Sequence, residues 1–152
     1  TTWSRGLGDV YKRQSYNNLY KKLDTKIKQG LPTLSTCAGT IILAKSVIDG
    51  DTHIPNIDIE IQRNAYGRQN ESFEADVKFF NNNDIYCFIR APKIIRTLNN
   101  DVKVIATQIE DIVGVSQNNI VSLTYHPELT NDNYYLEWLL AFMKEGKYVG
   151  SF

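Results

Sequence analysis

The first clear pattern in the chain is helical. Apolar residues recur at intervals of three and four with lysines between them: Tyr16, Leu19, Tyr20, Leu23 and Ile27. This spacing predicts an amphipathic helix that starts near Tyr16. Gly30 ends the helix, and Pro32 prevents it from resuming.

A short apolar segment, 32–36, follows the helix and is predicted to be a buried strand. After Cys37-Ala38-Gly39, a run without helix breakers predicts a second helix over 40–47. Helix, strand, sharp turn and helix in this order form half of a doubly wound α/β unit, in which functional groups collect at the carboxyl ends of the strands.

Further along, apolar and polar residues alternate. The alternation predicts strands over 57–61, 73–79 and 85–89, with Cys87 on the side that faces the core. More strands are predicted over 102–107, 112–116 and 120–125, and the polar run 81–84 is predicted to be a turn. Strands in such close succession indicate an α/β fold with a mixed sheet, because pure β-α-β alternation would space them further apart.

The last predicted element is a helix with Asn131 or Asp132 as its N-cap. We expect one apolar stripe of this helix to lie against the sheet. The stripe consists of Tyr135, Leu136, Leu139, Leu140 and Met143.

Composition narrows the class of protein. The chain has 152 residues, 17 Lys and Arg against 17 Asp and Glu, and 42% hydrophobic residues, as one globular domain has. Since no basic cluster is present, we expect no nucleic-acid surface. The apolar stretches are far shorter than the ~20 residues of a membrane span. Two cysteines, Cys37 and Cys87, make no disulfide framework and suit a reducing, cytoplasmic compartment.

Residues 1–14, TTWSRGLGDVYKRQ, stand apart from the rest. The second half of this segment resembles the conceptual translation of a transposon-type sequencing adapter, so we expect it to be non-native and exclude it from the fold. The alternative is a native, loosely ordered N-terminal arm. Under the adapter hypothesis the gene began upstream of Ser15, and residues 15–152 are a partial domain.

The candidate nucleophile is Cys37, on the turn between the predicted strand and the second helix. Its neighbours Ala38 and Gly39 are small, as in a nucleophile elbow, where a strained turn exposes the side chain and the following N–H groups face the attacked carbonyl. A helix N-terminus also favours the thiolate. The alternative is a core-filling cysteine, which is the commoner role of a lone Cys in an apolar stretch.

The candidate base is His126, in His126-Pro127-Glu128 at the end of a predicted strand. The residue before proline is held extended, so the side chains of His126 and Glu128 project to the same side. The carboxylate can then orient the imidazole, as the third member of a catalytic triad does. A solvated loop histidine is the alternative, and His53 is predicted to be one.

Four segments, in this order and spacing, resemble signature blocks of the glutaminase subunit family of pyridoxal phosphate synthase. They are Ser35–Gly39, Arg63–Gln69 with Ser72–Glu74 after it, Phe88–Pro92 and His126–Thr130. The resemblance extends from about Leu19 to the end of the chain. It implies a class I, triad-type glutamine amidotransferase with a three-layer, flavodoxin-like α/β fold.

The resemblance also implies roles. Cys37 would form a glutamyl thioester, His126 would act as general base and acid, and Glu128 would orient it. Residues Arg63, Ile89 and Arg90 would bind glutamine, and the N–H of Ala38 would face the oxyanion. From spacing alone, a structural ion pair at a strand end is the alternative for both arginines.

Two departures from the family pattern are visible. Ser35 stands where the family usually has glycine, and the family's upstream Gly-Gly-Glu-Ser-Thr loop has no counterpart in this chain. That loop binds glutamine and completes the oxyanion hole, so we expect the first strands to be missing as well and the chain's own activity to be impaired.

The resulting hypothesis is hydrolysis of glutamine, with the ammonia passed to a synthase subunit in a large hetero-oligomer. No cofactor is expected, and no metal, because neither His53 nor the cysteines have the spacing of metal ligands. Two alternatives stay open: a triad glutaminase of another biosynthetic pathway, against which the block at Arg63 argues, and a catalytically silent structural or binding domain.

Overall fold

The computed structural model describes the backbone of residues 2–67 and 71–146 and the side chains from residue 14 onward within those ranges. The helices are α1 (Thr2–Lys28), α2 (Ala38–Leu43) and α3 (Asn133–Glu145). The strands are β1 (Thr33–Thr36), β2 (Ala44–Val47), β3 (Ile57–Gln62), β4 (Ser72–Phe79), β5 (Asn82–Ile89), β6 (Lys93–Thr97), β7 (Lys103–Gln108), β8 (Asp111–Gln117) and β9 (Ile120–Leu123).

The strands form two sheets. The larger has the order β1-β9-β8-β7-β4-β5, in which β1 pairs parallel with β9 and the other neighbours are antiparallel. The smaller has the order β2-β3-β6, with one parallel and one antiparallel pair. The mixed pairing predicted from the close succession of strands is confirmed.

Two apolar clusters make the core. One lies between α3 and the larger sheet and is mainly aromatic, with Phe79, Phe88 and Trp138 fully buried. The other is aliphatic and joins Ile59 of the smaller sheet to Val115 of the larger sheet and to Ile27 of α1. Helix, sheet and a second layer of strands and helix therefore stack as an α/β fold of three layers.

The segment predicted as one helix over 40–47 is divided. Helix α2 ends at Leu43, and Ala44–Val47 continue as strand β2 beside β3. The β-branched residues Ile41 and Ile42 weaken a short helix, while pairing with β3 gives the following backbone a ladder of hydrogen bonds. Two further differences are that α1 begins at Thr2 rather than near Tyr16, and that β6 was not predicted.

The predicted core face of β5 was wrong. The alternation put Ile85, Cys87 and Ile89 inside, but Ile85 and Ile89 are exposed, Cys87 is half-buried, and Tyr86 and Phe88 are fully buried. Both faces of this strand are apolar, so the larger aromatic rings take the interior. The predicted turn at 81–84 was also misplaced, since β5 already begins at Asn82 and the turn lies at 80–81.

Helix α3 has the predicted N-cap, and its buried face agrees with the prediction in part. Asp132 is the N-cap, and its carboxylate accepts a hydrogen bond from the Tyr134 N–H at 2.9 Å. Trp138 is fully buried, with its ring centroid 5.1 Å from that of Phe79, whereas Leu140 and Met143 are exposed. Of the predicted stripe, Tyr135 is buried and Leu139 packs partly buried against the aromatic cluster, so the prediction is confirmed at these two positions and wrong at Leu136, Leu140 and Met143.

No helix in the described part of the chain is long and apolar enough to cross a membrane.

Asp58 of β3 connects the two sheets. Its N–H donates to Gln117 Oε1, and its carboxylate accepts from Gln117 Nε2, both at 2.8 Å, and also from the Asn99 amide. Lys45 Nζ lies 3.3 Å from the other carboxylate oxygen. The bond from Gln117, aided by Asn99 and Lys45, lowers the pKa of Asp58 below its ordinary value of 3.8.

Replacing Asp58 by Asn should reduce the free energy of unfolding at pH 7 by about 1–3 kcal/mol, because hydrogen bonds to a charged acceptor are lost. A depressed folded-state pKa contributes stability above the unfolded value and loses it as the pH falls through the folded value. The difference between wild type and Asp58→Asn should therefore shrink below pH 3.8. Urea unfolding at several pH values measures it.

The matched control is Glu60→Gln on the same strand, whose carboxylate lies 3.3 Å from the exposed Arg96 guanidinium. A surface pair of this kind contributes about 0–1 kcal/mol. Equal losses for the two variants would contradict the role assigned to Asp58.

Candidate active site

Cys37 occupies a strained turn between β1 and α2. Its backbone has φ 49° and ψ −112°, a conformation that costs free energy for any residue with a Cβ. The Cys37 N–H donates to the Leu123 carbonyl oxygen at 2.9 Å, which attaches the turn to β9. A Cβ on Gly39 would lie 3.3 Å from the Ser35 Cβ, a tight contact, so strand and helix approach each other closely here. This is the geometry of a nucleophile elbow.

The Cys37 thiol is protonated and half-buried. Its Sγ donates to the Ile89 carbonyl oxygen at 3.4 Å. Burial raises the pKa of the thiol above its ordinary value of 9.0; the Ala38 N–H opposes this, and the negative charge of Glu128 adds to it. The N–H at the start of α2 favours the thiolate, as expected, but desolvation of the sulfur has the larger effect on this pKa.

His126 and Glu128 form a hydrogen-bonded pair beyond β9. The His126 Nδ1 and Glu128 Oε1 are 2.6 Å apart, with the ring mostly buried and the carboxylate half exposed. A 3-10 turn, Pro127–Leu129, carries Glu128 back toward the ring. The His126 N–H donates to the Cys87 carbonyl at 2.9 Å. The position of the His126 ring is therefore fixed by hydrogen bonds of the backbone N–H and of Nδ1, and neither of these bonds uses Nε2.

The fold brings Cys37 and His126 to one edge of the larger sheet. Strands β1 and β9 are parallel neighbours with Thr36 opposite Leu123, so the residues that follow them leave the sheet at the same end. Among the described residues, the hydrogen-bond partner of the thiol is Ile89 and not the imidazole. Catalytic hydrogen bonds are often long in unliganded enzymes and shorten when substrate binds.

The two candidate arginines share a cavity of ≈ 370 Å³ next to this edge. Its walls are Arg63, Asn64, Tyr66, Gly67, Glu71, Arg90 and Ala91. Arg63 is exposed, and its backbone N–H donates to Asp49 Oδ1 at 3.2 Å. Arg90 follows Ile89, whose carbonyl contacts the thiol, so β5 leads from the cavity to Cys37.

Arg90 also has the ion pair that spacing alone suggested. The Arg90 guanidinium lies 3.6 Å from Glu71 Oε2, and the backbone N–H of Arg90 donates to the Glu71 backbone carbonyl. Both side chains are more than half exposed, so the pair contributes little stability and can open. The guanidinium is therefore available to a ligand in the cavity.

The side chains of Cys87 and His53, to which the sequence assigned no catalytic role, have partners outside the candidate site. Cys87 was predicted to be core, but its Sγ lies 3.7 Å from the Glu74 carboxylate, and burial raises the pKa of this thiol too. His53 is exposed and packs edge-on against Tyr20, with ring centroids 5.9 Å apart. No group of three or more His, Cys, Asp or Glu that could hold a metal lies within 2–67 and 71–146.

Sequence reasoning missed several residues around the site. Asp49 and Glu71 contact the two arginines, and no motif marks them. Thr40 and Ser122 are fully buried beneath the elbow. Ser122 had a detectable signal, because it is a polar residue inside the short apolar strand β9.

Comparisons with known proteins agree with this geometry. A sequence model described as the SNO glutamine amidotransferase family matches residues 4–145. The pyridoxal 5'-phosphate synthase subunit PdxT of Thermococcus onnurineus is 43% identical over 129 residues, which cover 82% of this chain and 66% of the relative. PdxT of Thermosipho africanus is 44% identical over 131 residues, covering 84% of this chain and 69% of the relative.

A crystal structure of a glutamine amidotransferase superposes with a TM-score of 0.75 at 32% identity, covering 82% of this chain and 68% of that one. The chain thus spans about two thirds of the length of the proteins that it matches. The family match extends over the elbow, both arginines and the His-Glu pair. The chain belongs to the SNO glutamine amidotransferase family.

Proposed function

We propose that this protein is a glutaminase that hydrolyses L-glutamine to L-glutamate and ammonia through a thioester on Cys37. The observation that carries the proposal is a thiol on a strained elbow beside a His-Glu pair, on parallel neighbouring strands, in a chain of this family. Relatives named as pyridoxal 5'-phosphate synthase subunits support delivery of the ammonia to pyridoxal phosphate synthesis.

The proposed reaction begins with a proton transfer. Because the Cys37 thiol is protonated, His126 Nε2 takes its proton as the sulfur attacks the carboxamide carbon. The Ala38 N–H stabilises the oxyanion, and the imidazolium gives the proton to the departing ammonia. Water, deprotonated by His126, then hydrolyses the thioester to glutamate and regenerates the thiol. Glu128 keeps the ring oriented and stabilises its charged form.

The cavity supplies the proposed glutamine site. A guanidinium offers paired donors to an α-carboxylate, and Arg63 and Arg90 both line the cavity. The Ile89 carbonyl, which accepts from the thiol here, becomes available to the substrate when Cys37 passes its proton to His126. Glu71 opposite Arg90 offers a carboxylate to the α-ammonium group.

The remaining parts of the proposal concern the whole protein. Its partner would be the synthase subunit of pyridoxal phosphate synthase, in a large hetero-oligomer located in the cytoplasm. We also propose that residues 1–14 derive from an adapter and that residues 15–152 belong to the amidotransferase domain. The DNA sequence around the Ser15 codon tests the first point.

Replacing Cys37 by Ala should abolish glutamate release, by more than about 10³-fold, because the nucleophile is removed. Release from L-glutamine is measured with the synthase subunit present. The matched control is Cys87→Ala, which removes the other free thiol and should keep the wild-type rate. An unchanged rate in Cys37→Ala would overturn the proposal.

A glutamine analogue with a diazoketone in place of the carboxamide gives a second test that needs no turnover. It should alkylate Cys37 and leave Cys87 unmodified, since the Cys37 sulfur contacts Ile89, which precedes Arg90 of the cavity, whereas the Cys87 sulfur contacts Glu74. Peptide mass spectrometry locates the adduct. Equal labelling of the two cysteines would show that neither belongs to a glutamine site.

Replacing Glu128 by Gln should lower the pKa of Cys37, since the carboxylate charge is one cause of its elevation. The pH dependence of iodoacetamide alkylation at Cys37 measures this. The matched control is Glu74→Gln, which should lower the pKa of Cys87 by the same mechanism and leave Cys37 unchanged. A Cys37 profile unaffected by Glu128→Gln would place the carboxylate outside the site.

A catalytically silent chain is the second candidate, and one observation favours it. The thiol is protonated and donates to Ile89 rather than to the imidazole. Under this alternative, iodoacetamide modifies Cys37 no faster than Cys87, and the glutamine analogue modifies neither.

A further inference from the structure

Three buried hydroxyl groups lie beneath the elbow. Ser35 precedes Cys37 by two residues, Thr40 follows it by three, and Ser122 belongs to the adjacent strand β9. Their exposed fractions are 5%, 0% and 0%. Ser35 Oγ lies 2.6 Å from Ser122 Oγ and 3.2 Å from Thr40 Oγ1, so one residue joins the other two.

The direction of these hydrogen bonds follows from counting protons. Thr40 Oγ1 donates its proton to the Leu123 carbonyl at 2.7 Å, which is shorter than its 3.4 Å approach to the Ser35 carbonyl. Since a hydroxyl has a single proton, Ser35 must donate to Thr40, and Ser122 must donate to Ser35. The bonds run one way, from Ser122 through Ser35 and Thr40 to the Leu123 carbonyl.

The same Leu123 carbonyl accepts the Cys37 N–H at 2.9 Å. Both sides of the strained turn are therefore attached to β9, the strand that leads to His126. Buried hydroxyls linked in series polarise one another, which makes such an attachment stiff.

We propose that Ser35, Thr40 and Ser122 are positioning residues, which keep the elbow strained and set the direction of the Cys37 sulfur relative to His126. The effect on turnover rests on the proposed glutaminase function, whereas the effect on the thiol does not. None of the three hydroxyls touches the cavity or the sulfur, so they act through the backbone of Cys37.

The variants Ser35→Ala, Ser122→Ala and the double variant separate positioning from stability. Ser35→Ala leaves the buried Ser122 hydroxyl without its acceptor, Ser122→Ala leaves Ser35 bonded to Thr40 alone, and the double change removes both members of the pair. The double variant should thus be about as stable as Ser35→Ala or more so, by urea unfolding. If the hydroxyls contributed only to stability, Cys37 in a stable double variant would behave as it does in the wild type. If they position the elbow, the properties of Cys37 would change even though the variant is stable.

In the double variant the pKa of Cys37, read from the pH dependence of iodoacetamide alkylation, should fall toward 9.0, because a relaxed elbow exposes a thiol whose pKa burial raises. With glutamine, kcat should fall by about 10²-fold with little change in KM, as expected when a reacting group is misplaced. The matched control is Ser116→Ala. It removes a buried hydroxyl that donates to the Ile120 carbonyl at 3.2 Å, at the other end of β9, and should leave both readouts unchanged.

Wild-type alkylation and turnover in the double variant would overturn the positioning role. If the wild-type chain does not hydrolyse glutamine, the proposed function fails, and the alkylation profiles still decide the positioning role. If the double variant loses its cooperative urea transition, Ser35→Ala gives the same two readouts with the same expected directions.

Discussion

The parallel pairing of β1 with β9 is the constraint on which the candidate site depends. The register places Thr36 opposite Leu123, and the chain leaves both strands at the same edge of the sheet. A shift of one residue would turn every side chain of β1 to the other face and carry Cys37 away from His126. Cys37 and His126 are 89 positions apart in the sequence, so only this register makes them neighbours.

Strand β5 completes the site from the other side. Its carbonyls at Cys87 and Ile89 accept from the His126 N–H and from the Cys37 thiol, so the end of one strand contacts both the candidate base and the candidate nucleophile. Burial has a chemical consequence, because it favours the neutral thiol over the thiolate. The proposed reaction therefore needs a base to remove the proton of the Cys37 thiol when the sulfur attacks.

The sequence predicted those elements whose two faces differ in polarity. Strand β3 alternates isoleucine with polar residues, and all three isoleucines are fully buried, as predicted. The strand order was not predictable. The buried face of β5 was not predictable either, because both faces of that strand are apolar and only packing against the aromatic cluster under α3 decides which one is buried. The buried face of α3 was predicted only in part, because Trp138 is buried where the prediction had placed Leu136, Leu140 and Met143, while Tyr135 is buried as predicted. The Cys37 turn and the His126-Glu128 pair were predictable because each is defined by adjacent residues.

The serine at position 35 shows what a local pattern leaves out. Seen in the sequence, Ser35 is a minor departure from the glycine that is usual in the family it resembles. A hydroxyl buried there without a partner would cost about 1–3 kcal/mol. The structure supplies two partners, Thr40 at 3.2 Å and Ser122, 87 positions away, at 2.6 Å. Because Ser122 in turn uses Ser35 as the acceptor for its proton, a departure at position 35 can be judged only together with the residue on β9.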